Sequence, residues 1–166
     1  MWCNQNENTM KQISLLLFSS LLFSCSAGVK KDFLSGIKVT HSGLAFEQAY
    51  MSSDGKSLQT DQLKTGQKVT LQLTGVRGFE LIADMAYPGA TIEVIDKTGA
   101  KAMKLADLFS SYNETGVKPT DAQYLSTALT IGSPLLVGET YTFKSHFWDK
   151  NGSGEINGEM EFTVVE

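Results

Sequence analysis

Hydrophobic and polar residues alternate with a period of two along most of this chain, which is the period of half-buried β-strands. From residue 36 onward the alternation restarts repeatedly between turn signals. Ile37, Val39 and His41 interleave with Lys38 and Thr40, and Leu44, Phe46 and Gln48 interleave with Ala45 and Glu47. Val69, Leu71 and Leu73 share one face of Lys68–Thr74, which is bracketed by Thr65-Gly66-Gln67 and Gly75-Val76-Arg77-Gly78. Phe79 to Met85 is a further apolar run. Thr91–Ile95 and Ala100–Leu105 flank Asp96-Lys97-Thr98-Gly99, whose last glycine suits the positive φ of a hairpin turn. Tyr124–Ile131 alternates again. Two long strands are then expected over Thr140–Asp149 and Glu155–Glu166, around Lys150-Asn151-Gly152-Ser153-Gly154. In the first, Tyr141, Phe143, Ser145 and Phe147 share one face, and Thr142, Lys144, His146 and Trp148 the other. In the second, Met160, Phe162 and Val164 point inward, with Glu159, Glu161 and Thr163 outward.

Only residues 105–112 break this rhythm. Leu105, Leu108, Phe109 and Tyr112 fall at helical spacing and predict one short helix. About seven to nine short strands, with turns roughly every 8–12 residues, predict an all-β fold. An immunoglobulin-like β-sandwich is the expected architecture, and a small β-barrel the alternative. The Cys…Trp…Cys core of antibody domains is absent, so the likeness is one of architecture. The domain resembles the immunoglobulin-like sandwiches of envelope lipoproteins in that sense alone.

Composition narrows the class. The chain has 166 residues, 42% hydrophobic and 19% charged, with a net charge of −4. That length allows one ordinary domain. A mildly acidic balance supplies no basic field for phosphate backbones, which argues against a nucleic-acid partner. The excess is local: residues 149–166 hold five acidic side chains against Lys150 alone, while residues 25–148 are balanced. Glu159 and Glu161 are expected to discourage edge-to-edge pairing of the last strand.

The N-terminus decides the compartment. Residues 11–24, KQISLLLFSSLLFS, carry one basic residue and then an unbroken run of Leu, Phe, Ile and Ser. The run is shorter than the roughly 20 residues a spanning helix needs and suits the apolar region of a secretory signal peptide. It ends in Leu22-Phe23-Ser24-Cys25. Here the chain resembles the lipobox of bacterial lipoproteins, with Phe23 standing where small or β-branched residues are commoner. The resemblance implies a signal peptide over residues 1–24 and a diacylglycerol-modified Cys25 as the first mature residue. Met10-Lys11 is the better start for such a peptide, making residues 1–9 a mis-called extension. Residues 25–35 are then a lipidated tether, and residues 36–166 a single sandwich domain. The expected location is the cell envelope, anchored to a bacterial membrane, the outer one favoured.

Candidate chemistry is sparse. Asp149-Lys150-Asn151-Gly152-Ser153-Gly154-Glu155-Ile156 resembles the first eight positions of an EF-hand calcium loop, which places Asp149, Asn151, Ser153 and Glu155 as oxygen donors. The family pattern asks for a bidentate Glu where Met160 stands, and its flanking helices are replaced by strand patterns. A hairpin loop is therefore the preferred reading over calcium. His41 and His146 have no second ligand at metal-binding spacing, and no nucleophile elbow, phosphate loop or dinucleotide fingerprint occurs. Asp107 reads as an early-turn acid of the short helix. Arg77, the lone arginine, and Trp148, at a strand end, are weaker binding candidates. No cofactor is expected. Together these features predict a non-catalytic envelope module that meets a protein or glycan partner. A calcium-stabilised structural or adhesion module is the alternative, and a small-ligand carrier or hydrolase a second.

Overall fold

The computed structural model describes residues 27–31 and 35–166. Cys25 and the signal segment lie outside the described residues. Among the described residues eleven strands form two sheets. They are β1 (Ala27–Lys31), β2 (Lys38–Ser42), β3 (Gln48–Ser53), β4 (Lys56–Ser57), β5 (Gln62–Lys64) and β6 (Lys68–Thr74). After them come β7 (Pro88–Asp96), β8 (Lys101–Leu105), β9 (Tyr124–Thr130), β10 (Thr140–Asp149) and β11 (Glu155–Val165). The larger sheet runs β1-β2-β11-β10-β7-β8, with short β5 pairing parallel to the end of β11. The smaller runs β4-β3-β6-β9. The two sheets pack face to face and neither closes on itself, so the expected sandwich is what forms and the barrel is not.

Alternation sets the core, as the backbone pleat requires. Val69, Leu71 and Leu73 of β6 meet Phe143 and Phe147 of β10 and Ile156, Met160 and Phe162 of β11, all buried in one cluster. Ser145 lies among them, 1% exposed, in a position that alternation demands but its hydroxyl does not suit. Thr127 of β9 answers it from the opposite sheet: the two hydroxyls are hydrogen-bonded at 2.8 Å, so neither is left unpaired in the core.

Three expectations are revised. The first concerns the helix near 105–112, which is a single 3-10 turn at Ser110–Tyr112. Asp107 is the reason: its Oδ1 accepts the backbone N–H groups of Phe109 (3.0 Å) and Ala90 (3.2 Å). Such side-chain bonds compete with helix formation, and the segment is too short to nucleate against them. Second, Ala27–Lys31 pairs along β2, so part of the expected tether belongs to the sheet. Third, β11 is an inner strand between β2 and β10, so Glu159 does not guard an edge.

Candidate functional site

The outer face of the larger sheet is polar across β2, β11, β10, β7 and β8. Register builds it in rows. Lys38 of β2 stands opposite Glu159 of β11, Glu159 opposite Lys144 of β10, and Lys144 opposite Glu93 of β7. Glu93 is in turn opposite Lys104 of β8. Five strands thus carry one transverse row of alternating charge. Lys144 Nζ lies 3.6 Å from Glu159, and Lys101 and Lys104 reach Glu93 at 2.8 and 3.0 Å. The Lys101 and Lys104 hydrogen bonds hold the Glu93 carboxyl down at about 2 against an ordinary 4.5. Glu159 of the last hairpin is therefore not part of a free acidic patch, because lysines of both neighbouring strands flank it.

The next row is polar and hydrogen-bonding: Thr40, Asn157, His146 and Thr91 follow one another across β2, β11, β10 and β7. The row beyond holds Glu155, Trp148 and Gly89. An open trough of about 560 Å³ crosses the face over the first two rows, lined by residues that include Lys38, Lys144, His146 and Asn157. A second depression of about 600 Å³ continues it past Trp148 to Asp107 and Ser153. The two share Thr91, Lys104 and His146.

His146 and Trp148 form the aromatic centre. Two residues apart on β10, they project from the same face and stack, with centroids 5.1 Å apart and planes inclined by 26°. His146 Nε2 also lies 3.2 Å from Glu155 Oε2. Trp148 lies across Gly89, where a Cβ would fall 2.2 Å from indole Cε2, so only glycine admits this pose. The indole is half-buried and its rim lines the second depression.

The loop that resembles a calcium site is organised by its own hydrogen bonds. Asp149 is 3% exposed. Its Oδ2 accepts the Glu80 N–H at 2.6 Å and its Oδ1 the Asn151 N–H at 3.1 Å. Asn151 and Ser153 are exposed, and Glu155 points to the sheet face and His146. Among the described residues no three His, Cys, Asp or Glu side chains converge as a metal site. Lys150 instead clasps the neighbouring loop. Its ammonium reaches Asp107 Oδ2 at 2.6 Å, Phe109 O at 3.2 Å and Asn113 Oδ1 at 2.5 Å. Burial pushes the Asp107 carboxyl up, but Lys150 and two backbone N–H donors outweigh it and leave it below its ordinary value. Arg77 is exposed, pairs its backbone with Ala45, and donates from Nη1 to Gly75 O at 3.3 Å.

Of the residues singled out in the sequence, Asp107, Trp148, Asp149, Ser153 and Glu155 come together around the second depression, while Arg77 lies apart from both. Asn157, Lys144 and Thr40 were not singled out, and His146 was considered only as a metal ligand and set aside. Their only signal was alternation, which marks a face but cannot say which strands stand beside one another.

Among the described residues no helix is long and apolar enough to cross a membrane. No family model and no curated protein matches the chain. Among solved structures it is similar to the C-terminal domain of Wzt, with a TM-score of 0.51 at 9% identity. The match covers 86% of this chain and 79% of that one. At that identity the likeness is one of fold alone.

Proposed function

We propose that this chain is a lipid-anchored protein of the bacterial cell envelope, held at Cys25, whose sandwich binds glycan along the outer face of its larger sheet without catalysis. The observation that carries the binding half is the continuous trough centred on the His146–Trp148 stack. Its chemistry suits a polyhydroxylated chain. Thr40, Asn157, Thr91 and the Lys/Glu row offer donors and acceptors at a spacing set by the strands, and the aromatic pair offers an apolar surface for sugar C–H faces. A long open trough also fits an extended polymer better than a small apolar ligand, which is held in an enclosed cavity. The membrane half rests on the lipobox-like Leu22-Phe23-Ser24-Cys25 behind its apolar run.

The test is binding of the purified full chain, in detergent, to polysaccharide isolated from bacterial envelopes. Wild-type protein binds, and Trp148→Ala or His146→Ala weakens binding by about tenfold or more, as loss of an aromatic anchor does. Absence of binding by a correctly folded wild type, or equal binding by both variants, overturns the reading.

A further inference from the structure

The end of the sandwich that carries the 149–155 loop is also where the chain enters the sheet. β1 runs antiparallel to β2 with Ala27 opposite Ser42, and Ser42 lies opposite Glu155. Past Ser42 the chain turns at Gly43, so close to the 149–155 loop that a Cβ there would fall 2.8 Å from Gly154 Cα. The segment after β6 is fastened to the same end, through Glu80 N–H to Asp149 and through the backbone pairing of Arg77 with Ala45. Its tip is a two-residue turn in which Ile82 and Met85 exchange both backbone bonds at 3.0 Å. Ala83 and Asp84 make that turn at φ of 50° and 61°, a left-handed conformation costly to residues with a side chain. The turn carries Leu81 and Ile82 outward, 47% and 49% exposed. Two large apolar side chains thus ride on a strained tip at the end of the sandwich where the chain enters, an arrangement found where strain serves a contact.

We propose that this end seats directly on the lipid bilayer, with Leu81 and Ile82 entering the interface beside the acyl chains of Cys25. The inference rests on the lipid anchor proposed above and goes beyond it. Only Ser26 separates Cys25 from Ala27, and two residue steps reach at most about 7 Å. That is no more than the depth of the headgroup layer, so a sandwich anchored there has no tether on which to stand away from the membrane. A second exposed apolar pair, Leu136 and Val137, lies at the opposite end. There Gly138 N–H bonds Val164 O beside the Thr140–Thr163 pair that opens β10. The site of chain entry distinguishes the two ends. Seated in this way, the sheet stands on the membrane and its trough opens sideways, with Trp148 at the lipid end and the charged row above it.

The experiment uses the full chain, processed and reconstituted into phosphatidylethanolamine/phosphatidylglycerol vesicles, as the single-site variants Ile82→Cys and Val137→Cys. Each is reacted with a membrane-impermeant maleimide, in vesicles and again after detergent. Expected is a rate at position 82 about tenfold slower in vesicles than in detergent, with position 137 unchanged between the two. Equal labelling of both positions on floating vesicles overturns the docking while leaving the anchor intact. Failure of the chain to float with vesicles refutes the anchor and the docking together. Protection of position 82 that persists in detergent assigns the tip to a second copy of the chain and also overturns the proposal.

Discussion

The Asp149 Oδ2 atom accepts the backbone N–H of Glu80 at 2.6 Å, across 69 residues of sequence. This single buried carboxylate joins the last hairpin to the segment that follows β6, and its other oxygen shapes its own loop through Asn151. Replacing it with Ala leaves two N–H groups without their acceptor. Asp149→Ala should therefore cost about 2–4 kcal/mol in urea unfolding. Because both oxygens are engaged in this way, thermal melts of the wild type in calcium and in chelator should coincide. A shift between them would show that the loop takes a cation after all.

Thr127 and Ser145 give a second measurable pairing. Each is buried, and each finds its partner in the facing sheet. Thr127→Val should cost about 1–2 kcal/mol by stranding the Ser145 hydroxyl. The Thr127→Val/Ser145→Ala double variant should be no less stable than Thr127→Val alone, since both polar groups are then gone. Additive losses in denaturant unfolding would contradict a direct interaction between the sheets.

Gly89 and Trp148 test the aromatic platform. Adding a methyl at Gly89 drives Cβ into the indole, so Gly89→Ala should destabilise by about 1–3 kcal/mol and alter the near-ultraviolet circular dichroism of the tryptophan. In a Trp148→Ala background the same change should be close to neutral. A similar cost in both backgrounds would place the strain elsewhere than at this contact.

The charged row makes acid stability depend on Glu93. Its folded pKa of about 2 lies below the ordinary 4.5, so the unfolded chain binds this proton first as pH falls. The contribution is complete above the unfolded value and is lost as pH drops through the folded one. The gap in melting temperature between wild type and Glu93→Gln should thus be constant near neutrality, narrow below about pH 4.5, and close near pH 2. A gap unchanged down to pH 2 would remove the lysine clamp from the explanation.

Much of the architecture was legible along the chain. The inward faces of β10 and β11, the hairpin turned by Asp96 to Gly99, and the β6 core triplet all follow from alternation, because the pleat sends every second side chain the same way. The 105–112 segment misled because Leu105, Leu108, Phe109 and Tyr112 fit a helical spacing that Asp107 undoes by bonding Phe109 and Ala90. The Phe79–Met85 run carried apolar composition and no predicted element. Apolar composition there reflects an exposed tip carrying Leu81 and Ile82, with no strand assigned to the segment.

The sequence by itself determined that this is an all-β chain with polar and apolar strand faces, since residue-by-residue alternation is a local property of the extended backbone. It also carries the lipobox-like Leu22-Phe23-Ser24-Cys25 on which the proposed anchor rests. Tertiary structure alone decided what those faces mean. Strand order set Lys144 and Lys38 on either side of Glu159, made one face of His146 and Trp148 with Asn157 and Thr40, and put Glu80 within reach of Asp149. It also brought Ala27 and the Leu81–Ile82 tip to one end of the sandwich. Lateral pairing joins strands far apart in the chain, and alternation, which is local, holds no information about which neighbour a strand will choose.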